Sequence, residues 1–407
     1  MSTQPNPKKY DVPSKDFYKL DQMIRAAESL GNPQFGRHCI LAAGTNAKGS
    51  IANYLSALFR SIGLRVGTYS SPHVLRPTER FRINGDEISQ KELEEFEQKY
   101  EVSLKSLTYF ERMTLLAFLM FRDLKVDVQV IEVGMGGRLD ATNICEPDIS
   151  VIGPIGLDHE EVLGKGYRSI AFEKAGIMRP HRITWVYLPK NPEVKQVFEE
   201  QAKKLGSDLK ISDQPLEQSS MEQSLAKDLS DRGSHQIWNA RLSWRVFEEA
   251  CKLWELKPKY ETALFKNRQW LGRIQKLRQS PPFIVDGAHN ESAAECLRDY
   301  LKEYFPKTKF LCVFGAMREK MPEKILEPIR DWISEIYLPS FFPPREIKNT
   351  ELKEFLERDL KSFSGKIHLM PSLEGEIATL WDKRRPVLVL GSFYLAGEVI
   401  RALESKV

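Results

Sequence analysis

Hydrophobic positions in the first third of the chain alternate between two spacings. The run "HCILAAG" (38–44) is continuously apolar and ends in glycine, which indicates a buried strand. Across 50–63 apolar residues recur at helical spacing, and Gly63 stands where a C-cap is expected. Further apolar runs predict strands at 64–71, 126–134 and 149–156. Strands that alternate with helices predict a doubly wound, mostly parallel sheet, in which ligands bind beyond the carboxyl ends of the strands.

The pattern changes in the middle of the chain and then returns. Residues 207–236 are polar with little periodicity, so we interpret them as surface connections. The stretch "WLGRIQKLRQSPP" (270–282) carries Gly, Arg and a Pro pair, and within it we divide the chain into domains of residues 1–275 and 276–407. Beyond it "FIVDGAHN", a helical "SAAECLRDYLKEYF", "KFLCVFGA" and "PVLVLGS" predict a second, smaller α/β domain.

Composition narrows the class of protein. The 407 residues are 42% hydrophobic and 29% charged, which is typical of globular domains with a core. The net charge of +4 comes without long Lys/Arg runs, so no nucleic-acid partner is predicted. Five widely spaced cysteines without a C-x-x-C pair argue against disulfides and zinc. "TLLAFLMF" (114–121) is too short to cross a bilayer and the N-terminus lacks a secretory h-region, so we predict a cytoplasmic protein without a membrane partner.

The segment "GTNAKGS" (44–50) is close to a phosphate-binding loop. It follows a predicted strand and opens a predicted helix, which places free N–H groups where phosphates bind. Ala47 stands where glycine usually precedes the lysine, and Ser50 comes one position late. On this loop alone, a nucleotide site and a small-residue turn with a solvated Lys48 are equally good interpretations. We expect a negative φ at Ala47, because only a positive φ or a very close approach requires glycine.

Carboxylate and imidazole side chains follow the later strands. Glu132 ends one strand, and Asp158 and His159 follow the next, so we expect Glu132 and His159 at the same edge of the sheet. A strand-end carboxylate beside a phosphate loop suits Mg²⁺, which bridges protein and phosphate oxygens. Taken alone, His159 is more simply a capping or surface histidine. The second domain repeats the pattern with Asp286 and His289.

Ten segments in a fixed order resemble the folylpolyglutamate synthase / dihydrofolate synthase family, a branch of the Mur-ligase-type amide ligases. They are "GTNAKGS", "SSPHVLRPTERFRING", "TYFERMT", "EVGMGGRLDATN", "LDHEEVLG", "IAFEKAGI", "HQIWNA", "WLGR", "VDGAHN" and "LGSFYLAGEV". The resemblance implies a P-loop ATPase domain with a central, mostly parallel sheet and a smaller Rossmann-like C-terminal domain. It also implies an ADP-forming ligase that adds L-glutamate to dihydropteroate or to folate (poly)glutamates through an acyl phosphate. We expect the chain to be a monomer.

Roles at the reacting end follow from the resemblance. The ATP phosphates would be held by Thr45, Asn46, Ala47, Lys48, Gly49 and Ser50, and ATP would also contact Asn239, Arg273 and Asp286. Two Mg²⁺ ions would bind, one to Ser71 and Glu132 and one to His159. Lys174 would be carbamylated, although without the resemblance it reads as a solvated helix residue. His289 would help position glutamate.

The resemblance also implies a folate site. Its pteridine end would face Thr108, Tyr109, Phe110, Glu111, Asp140, Ala141 and Thr142, and the flexible stretch "RPTERFRING" (76–85) would fold over the substrate. Besides Ala47, the chain departs from the family pattern at Tyr109, at Leu271 and at Arg318–Glu319–Lys320.

Two other functions remain open at this point: a Mur-type ligase for cell-wall precursors, and a catalytically silent protein that binds nucleotide or folate. The stretches "SPH…ERFRING" and "GGRLDATN" argue against the first, and the complete set of metal residues with Lys174 argues against the second. The sequence leaves undecided whether the acceptor is dihydropteroate, a folate, or both.

Overall fold

The computed structural model describes residues 20–187, 191–212, 224–225, 227–229, 231–257, 265, 270–340, 346–360, 363–404 and 406. Within them the chain forms two sheets that are flanked by helices. The expected two-part α/β fold is therefore confirmed. No helix among the described residues is long and apolar enough to cross a membrane.

The first sheet is mostly parallel. Its strands are β1 (His38–Ala43), β2 (Val66–Tyr69), β3 (Phe81–Ile83), β4 (Asp86–Glu87), β5 (Val128–Glu132), β6 (Ile149–Ile152), β7 (Ile183–Tyr187) and β8 (Asp208–Ser212). Their order is β4-β3-β2-β5-β1-β6-β7-β8, with only β3 and β4 antiparallel to their neighbours. The accompanying helices are α1 (Asp21–Ser29), α2 (Lys48–Ser61), α3 (Gln90–Lys99), α4 (Glu101–Leu104), α5 (Tyr109–Asp123), α6 (Glu160–Leu163), α7 (Gly166–Ala175), α8 (Pro192–Leu205) and α9 (Ser234–Leu253).

The predicted strands of this sheet are continuously apolar because helices cover both of its faces. On β1, Ile40 and Ala42 belong to a core shared with α2 and α9, whereas Leu41 and Ala43 belong to a core shared with α5, α7 and α8. Strand β1 lies between β5 and β6. The loops that follow these three parallel strands therefore meet at one edge of the sheet, as the sequence predicts for Glu132 and His159.

The second sheet begins at Gln275, the last residue of the first predicted domain. Its strands are β9 (Gln275–Arg278), β10 (Phe283–Val285), β11 (Phe310–Phe314), β12 (Ile333–Pro339), β13 (Lys366–Met370) and β14 (Val387–Leu390), in the order β13-β12-β11-β14-β10-β9. Only β9 is antiparallel to its neighbour. The helices here are α10 (Glu291–Tyr304), α11 (Pro322–Leu326), α12 (Asn349–Asp359), α13 (Leu373–Asp382) and α14 (Phe393–Ala402).

Two sequence expectations about loops are wrong. Residues 208–212 are not a surface connection but strand β8, which pairs with β7 at the edge of the sheet, and 234–236 already belong to α9. Residues 213–223 of the same stretch lie outside the described residues. The stretch 76–85 is a 3₁₀ turn followed by β3, which pairs with β2, and Thr78, Glu79 and Arg80 in it are buried. It packs on the sheet because Phe81 fills the core next to Tyr69.

A short segment of the first part of the chain is built into the second core. Val74 is buried among residues of β10, β11, α13 and α14. Gly397 of α14 approaches so closely that a Cβ there would overlap the Val74 carbonyl oxygen. Arg401 also donates from Nη2 to the Leu75 carbonyl at 3.1 Å. The segment next to Ser71 is thereby fixed by the second domain.

Candidate active site

A cavity of about 800 Å³ lies between the carboxyl edge of the first sheet and the second sheet. The residues predicted for ATP, metal and glutamate chemistry all line it, although they are dispersed over 245 positions of the chain. They are Thr45, Asn46, Ala47, Lys48, Gly49, Ser50, Ser71, Glu132, His159, Lys174, Asn239, Arg273, Asp286 and His289. The predicted pteridine residues do not line this cavity.

The phosphate loop connects β1 to α2 and is held by the loop after β6. The Thr45 N–H donates to the Pro154 carbonyl at 2.9 Å, and the Thr45 hydroxyl donates to the Gly156 carbonyl at 3.0 Å. Gly44 has φ +148°, and a Cβ there would lie 2.8 Å from the Asn46 carbonyl oxygen. Glycine is required at this position, so the loop has the fixed turn that a phosphate cradle needs.

Ala47 contradicts the sequence expectation. Its φ is +68°, in the left-handed region, where it caps the N-terminus of α2. Left-handed backbone costs an L-residue roughly 1–2 kcal/mol, because the Cβ approaches the following carbonyl oxygen. The glycine usual at this position would relieve that cost, so the loop carries strain at a functional turn.

Two lysine ammonium groups meet at the Gly44 carbonyl. Lys174 Nζ donates to it at 2.9 Å, and Lys48 Nζ donates to it at 3.1 Å and to the Thr45 carbonyl at 3.2 Å. Burial lowers the pKa of both amines, and for Lys174 burial together with the nearby Lys48 charge lowers it to about 7. Lys174 is 4% exposed, so the interpretation from residue pattern alone, a solvated helix lysine, is wrong. It points inward because it shares a buried face of α7 with Ile170 and Ala171.

Glu132 ends β5 and is 2% exposed. Its Oε2 accepts the Ser71 N–H at 2.9 Å. Burial raises the pKa of this carboxyl, while the positive charges of Lys48 and Arg273 oppose the rise. A Cβ at Gly49 would lie 2.9 Å from Arg273 Nη2 and 3.1 Å from Glu132 Oε2, so the absence of a side chain at Gly49 leaves room for both groups beside the loop.

The residues predicted to bind metal suit Mg²⁺ better than an ion that is coordinated by protein side chains alone. Among the described residues no three His, Cys, Asp or Glu side chains converge as a metal cluster. Mg²⁺ is ordinarily bound through one or two carboxylates together with phosphate oxygens and water. The buried carboxylate of Glu132 and the hydroxyl of Ser71 are oxygen donors of that kind beside a phosphate loop. His159, also at the cavity, has φ +52° and caps α6.

A polar cluster that the sequence reasoning did not assign connects the two domains. Asp158 forms an ion pair with Lys320, and their side chains are 8% and 7% exposed. His289 Nε2 lies 3.6 Å from Asp158 Oδ2, and Asn290 donates to the same oxygen at 2.9 Å. Burial alone would raise the pKa of Asp158, but His289, His159 and Lys320 together hold it well below its usual range. The sequence contains one indication of this cluster, which is that Asp158 and Asn290 directly adjoin His159 and His289. Lys320 lies in a segment that departs from the family pattern.

The phosphate loop itself contacts the second domain. Asn46 Nδ2 donates to Ser292 Oγ at 2.7 Å and to Asn290 Oδ1 at 3.2 Å. Asn290 is also the N-cap of α10, where it accepts the Ala293 N–H. The loop geometry is thus coupled to the position of α10.

The other residues predicted to contact ATP, Asn239, Asp286 and Arg273, are held in place by contacts with neighbouring groups. Asn239 on α9 is buried beside Gln236, which accepts the Tyr54 hydroxyl at 3.2 Å. Asp286 accepts the Ile274 N–H at 2.7 Å and the Ala288 N–H at 2.8 Å, and burial raises its pKa. The Arg273 guanidinium lies 4.9 Å from the ring centroid of Phe393, which fixes its direction at the junction.

The residues predicted to face a pteridine have structural roles. Thr108 and Glu111 form the capping box of α5, and Asp140 caps a 3₁₀ turn by accepting the Thr142 N–H at 3.0 Å. Phe110 lies against Gly134, where a Cβ would overlap its ring. The Arg80 guanidinium lies 5.6 Å from the ring centroid of Tyr109, and Ala141 is buried.

Comparison with known proteins gives the same family from sequence and from structure. Residues 270–402 match the family model described as "Dihydrofolate synthetase, C-terminal domain". The chain is 30% identical to the dihydrofolate synthetase of Saccharomyces cerevisiae, over 94% of this chain and 97% of that relative.

Solved structures agree over nearly the whole chain. The Mycobacterium tuberculosis folylpolyglutamate synthase complexed with ADP and AMPPCP has a TM-score of 0.82 at 26% identity, with 96% of each chain covered. The bifunctional folylpolyglutamate synthase/dihydrofolate synthase of Yersinia pestis, complexed with AMPPNP and a Mn ion, has a TM-score of 0.80 at 29% identity, covering 95% of this chain and 93% of that one.

Proposed function

Because the chain belongs to the family of dihydrofolate synthases and folylpolyglutamate synthases, which are ATP-dependent ligases, we propose that it joins L-glutamate to the carboxylate of dihydropteroate or of a folate. The observation that carries this proposal is the convergence of Lys48, Lys174 and Glu132 on one strained loop, opposite His289 of the second domain. A buried, cationic loop beside a carboxylate suits phosphoryl transfer, in which charge develops on phosphate oxygens.

Two steps account for the reaction. A carboxylate oxygen of the acceptor attacks the γ-phosphorus of ATP, and ADP leaves, which produces an acyl phosphate. The amine of glutamate then attacks the acyl carbon, phosphate leaves, and the amine loses a proton. Lys48 would stabilise the charge on the transferred phosphoryl group. Closure of the second domain, through Lys320 and Asp158, would exclude the water that would otherwise hydrolyse the acyl phosphate.

ATP binding is assigned to both domains. Its phosphates would lie on the N–H groups of the loop Thr45–Ser50, at the N-terminus of α2. Asn239, buried on α9, would contact the adenine, while Arg273 and Asp286 would reach ATP from the junction. The Mycobacterium and Yersinia proteins, which were crystallised with ADP and with ATP analogues, support this assignment.

Magnesium would be held by Glu132 with Ser71, and a second ion by His159. Bound there, the metal would neutralise phosphate charge and orient the γ-phosphate. The Mn ion in the Yersinia structure supports a divalent cation in this family. We expect Glu132→Gln and His159→Ala to raise the Mg²⁺ concentration needed for half-maximal activity. Magnesium titrations that coincide with the wild type in both variants would refute the two ligand roles.

Carbamylation of Lys174 is the finer part of the proposal. Only a neutral amine can attack CO₂, losing a proton as the carbamate forms. A pKa of about 7 leaves a large neutral fraction at physiological pH, far above that of an exposed lysine. We expect Lys174→Ala to be nearly inactive and acetate to restore part of its turnover. An active alanine variant, together with an unmodified Lys174 mass, would contradict the carbamate.

The folate itself would lie near Thr108–Glu111 and Asp140–Thr142, with His289 on the glutamate side. Tyr109 and Phe110 offer aromatic faces there, partly buried beside the sheet. Aromatic rings stack on flat heterocycles such as a pterin.

The direct test is ADP release by purified protein with Mg²⁺ATP, L-glutamate and an acceptor, either dihydropteroate or tetrahydrofolate. Lys48→Ala should lower kcat by ~10²-fold or more, as loss of one electrostatic stabiliser typically does. Absence of ADP release with both acceptors, from a protein that is folded and binds ATP, would refute the ligase proposal and favour a silent binding protein.

A further inference from the structure

A second, smaller cavity of about 270 Å³ adjoins the first. It shares Gly49, Pro72, Glu132 and Arg273 with the large cavity, and it extends between α2 and the β3–β4 hairpin. Arg60 of α2 and Arg82 of β3 line it together with Arg273. We call this cavity the arginine pocket. None of the roles assigned above uses Arg60 or Arg82.

Within the described part of the chain, the three guanidinium groups make few hydrogen bonds. Each carries five N–H groups. Among the described residues Arg60 and Arg273 donate no side-chain hydrogen bond, and Arg82 donates only to the Gly85 carbonyl, at 3.4 Å. None of the three has an ion-pair partner in the described part of the chain, although all are partly buried. Half-buried guanidinium groups that form no close ion pair with the carboxylates of the described residues leave donors open for an anionic ligand.

The hairpin turn holds two of these arginines together. Gly85 has φ +80°, and a Cβ there would overlap the Arg60 guanidinium. The acidic side chains of the pocket already have other partners: Glu79 accepts the N–H groups of Val74, Leu75 and Arg76, and Glu132 accepts that of Ser71.

The chemistry of the pocket selects a carboxylate. A guanidinium fork matches the two oxygens of a carboxylate and binds them through parallel hydrogen bonds. The volume of about 270 Å³ is below the ~300–1,000 Å³ typical of sites for drug-sized ligands, so it suits a small charged group better than a pterin with its linker. The pocket opens beside Glu132, the proposed magnesium ligand, so an acceptor that reaches into it would have its reacting carboxylate near the γ-phosphate.

We propose that the arginine pocket binds the α-carboxylate of a glutamyl unit already attached to the acceptor. This inference rests on the proposed ligase function and deepens it. Dihydropteroate has a single carboxylate, which is the reacting one, and leaves the pocket empty. A folate presents its reacting γ-carboxylate together with an α-carboxylate close to it. The pocket therefore equips this chain to extend folates as well as to make dihydrofolate.

Binding measurements test the pocket without relying on turnover. Dissociation constants for pteroate, pteroylmonoglutamate and pteroyltriglutamate would be measured by calorimetry, with ADP and Mg²⁺ present. The wild type should bind the two glutamylated compounds more tightly than pteroate. Arg60→Gln and Arg82→Gln should each reduce that preference roughly tenfold, the effect of losing hydrogen bonds to a charged group. Arg65→Gln removes the same charge from an exposed position outside the pocket and should leave the preference intact.

Two further results show whether the carboxylate bound in the arginine pocket belongs to the acceptor or to the incoming glutamate. The KM for L-glutamate, measured with dihydropteroate as acceptor, should be unchanged in Arg60→Gln and Arg82→Gln. A raised KM with an intact preference for pteroylmonoglutamate would assign the pocket to the incoming amino acid and overturn the proposal. Equal wild-type affinities for pteroate and its glutamates would overturn it as well.

Failure of the proposed ligase function would give a different result, because the protein would then release no ADP with any acceptor. Matching thermal unfolding curves for the two pocket variants and Arg65→Gln would exclude misfolding as the cause of any loss. Arg60→Lys, which keeps the charge but not the fork, should recover only part of the preference.

Discussion

Ala47 shows how a single residue sets the conformational cost of the phosphate loop. With φ +68°, replacement by glycine relieves left-handed strain but also increases the entropy of the unfolded chain. Because the strain is the larger of the two, we expect Ala47→Gly to raise the free energy of unfolding by up to ~1 kcal/mol and to lower the KM for ATP. Urea denaturation and initial rates would measure both effects.

A matched control lies in the same helix. Ala52 has ordinary helical backbone, so Ala52→Gly should lower the free energy of unfolding by about 1 kcal/mol. If both glycine variants were destabilised to the same extent, Ala47 would carry no strain.

Lys174 predicts a pH dependence of stability. Its pKa is near 7 in the folded state and near 10.5 when exposed, so between these values the unfolded state binds more protons at this site. Stability therefore rises with pH across this window, and the full cost of the buried charge is present below pH 7. In buffers free of CO₂, Lys174→Met should be more stable than the wild type at pH 6.5 and should lack this part of the rise.

The measurement is the free energy of unfolding at several pH values between 6.5 and 10. Lys195→Met is the control, because Lys195 is exposed on α8, and it should follow the wild-type pH profile. A Lys174→Met profile parallel to the wild type would show that the lysine is not desolvated.

At the scale of elements, helix α14 positions the segment beside the proposed metal ligands Ser71 and Glu132. Because a Cβ at Gly397 would overlap the Val74 carbonyl, Gly397→Ala must displace either α14 or the segment that continues to Ser71. We expect a loss of roughly 1–3 kcal/mol in the free energy of unfolding, as for other overpacked cores. We also expect a lower kcat. Displacement of the segment would move Ser71, whose N–H group donates to Glu132.

Another helical glycine provides the comparison. Gly375 in α13 has nothing within 4 Å of its would-be Cβ. Gly375→Ala should therefore stabilise the protein by about 1 kcal/mol through helix propensity and leave kcat unchanged. Equal effects of the two substitutions would mean that the contact with Val74 is not tight.

At the scale of the whole molecule, the Asp158–Lys320 pair couples the two domains. Lys320→Met would leave Asp158 buried without its cation, which typically costs 3–5 kcal/mol. Opening of the cleft avoids that cost. We therefore expect a larger radius of gyration in X-ray scattering, higher KM values and a lower kcat.

The exposed Lys324 on α11 offers a control, since Lys324→Met removes the same charge at the surface. The double variant Asp158→Asn/Lys320→Met should recover the wild-type radius of gyration, because no unpaired charge remains. A wild-type radius in the single variant would mean that an unpaired Asp158 does not open the cleft.

The sequence by itself determined the elements and the chemistry they carry. Continuous apolar runs identified β1, β5, β6 and β11, because strands covered on both faces have no polar side. The order of the motifs indicated the family and the residues that line the large cavity. These features depend on local periodicity and on residue identity, which a sequence displays directly.

Only the tertiary structure decided the φ of Ala47, the burial of Lys174, the pairing of Phe81–Ile83 with β2, and the strand at Asp208–Ser212. Each depends on what an element packs against. Lys174 is buried because α7 lies over the carboxyl edge of the sheet, and β8 forms because β7 presents an unpaired edge. Lys320 and Asp158, which are in contact, are 162 positions apart in the sequence. The arginine pocket brings together Arg60 of α2, Arg82 of β3 and Arg273, which lies just before β9. Such groups become neighbours only through the fold, because no local spacing in the chain encodes the distance between them.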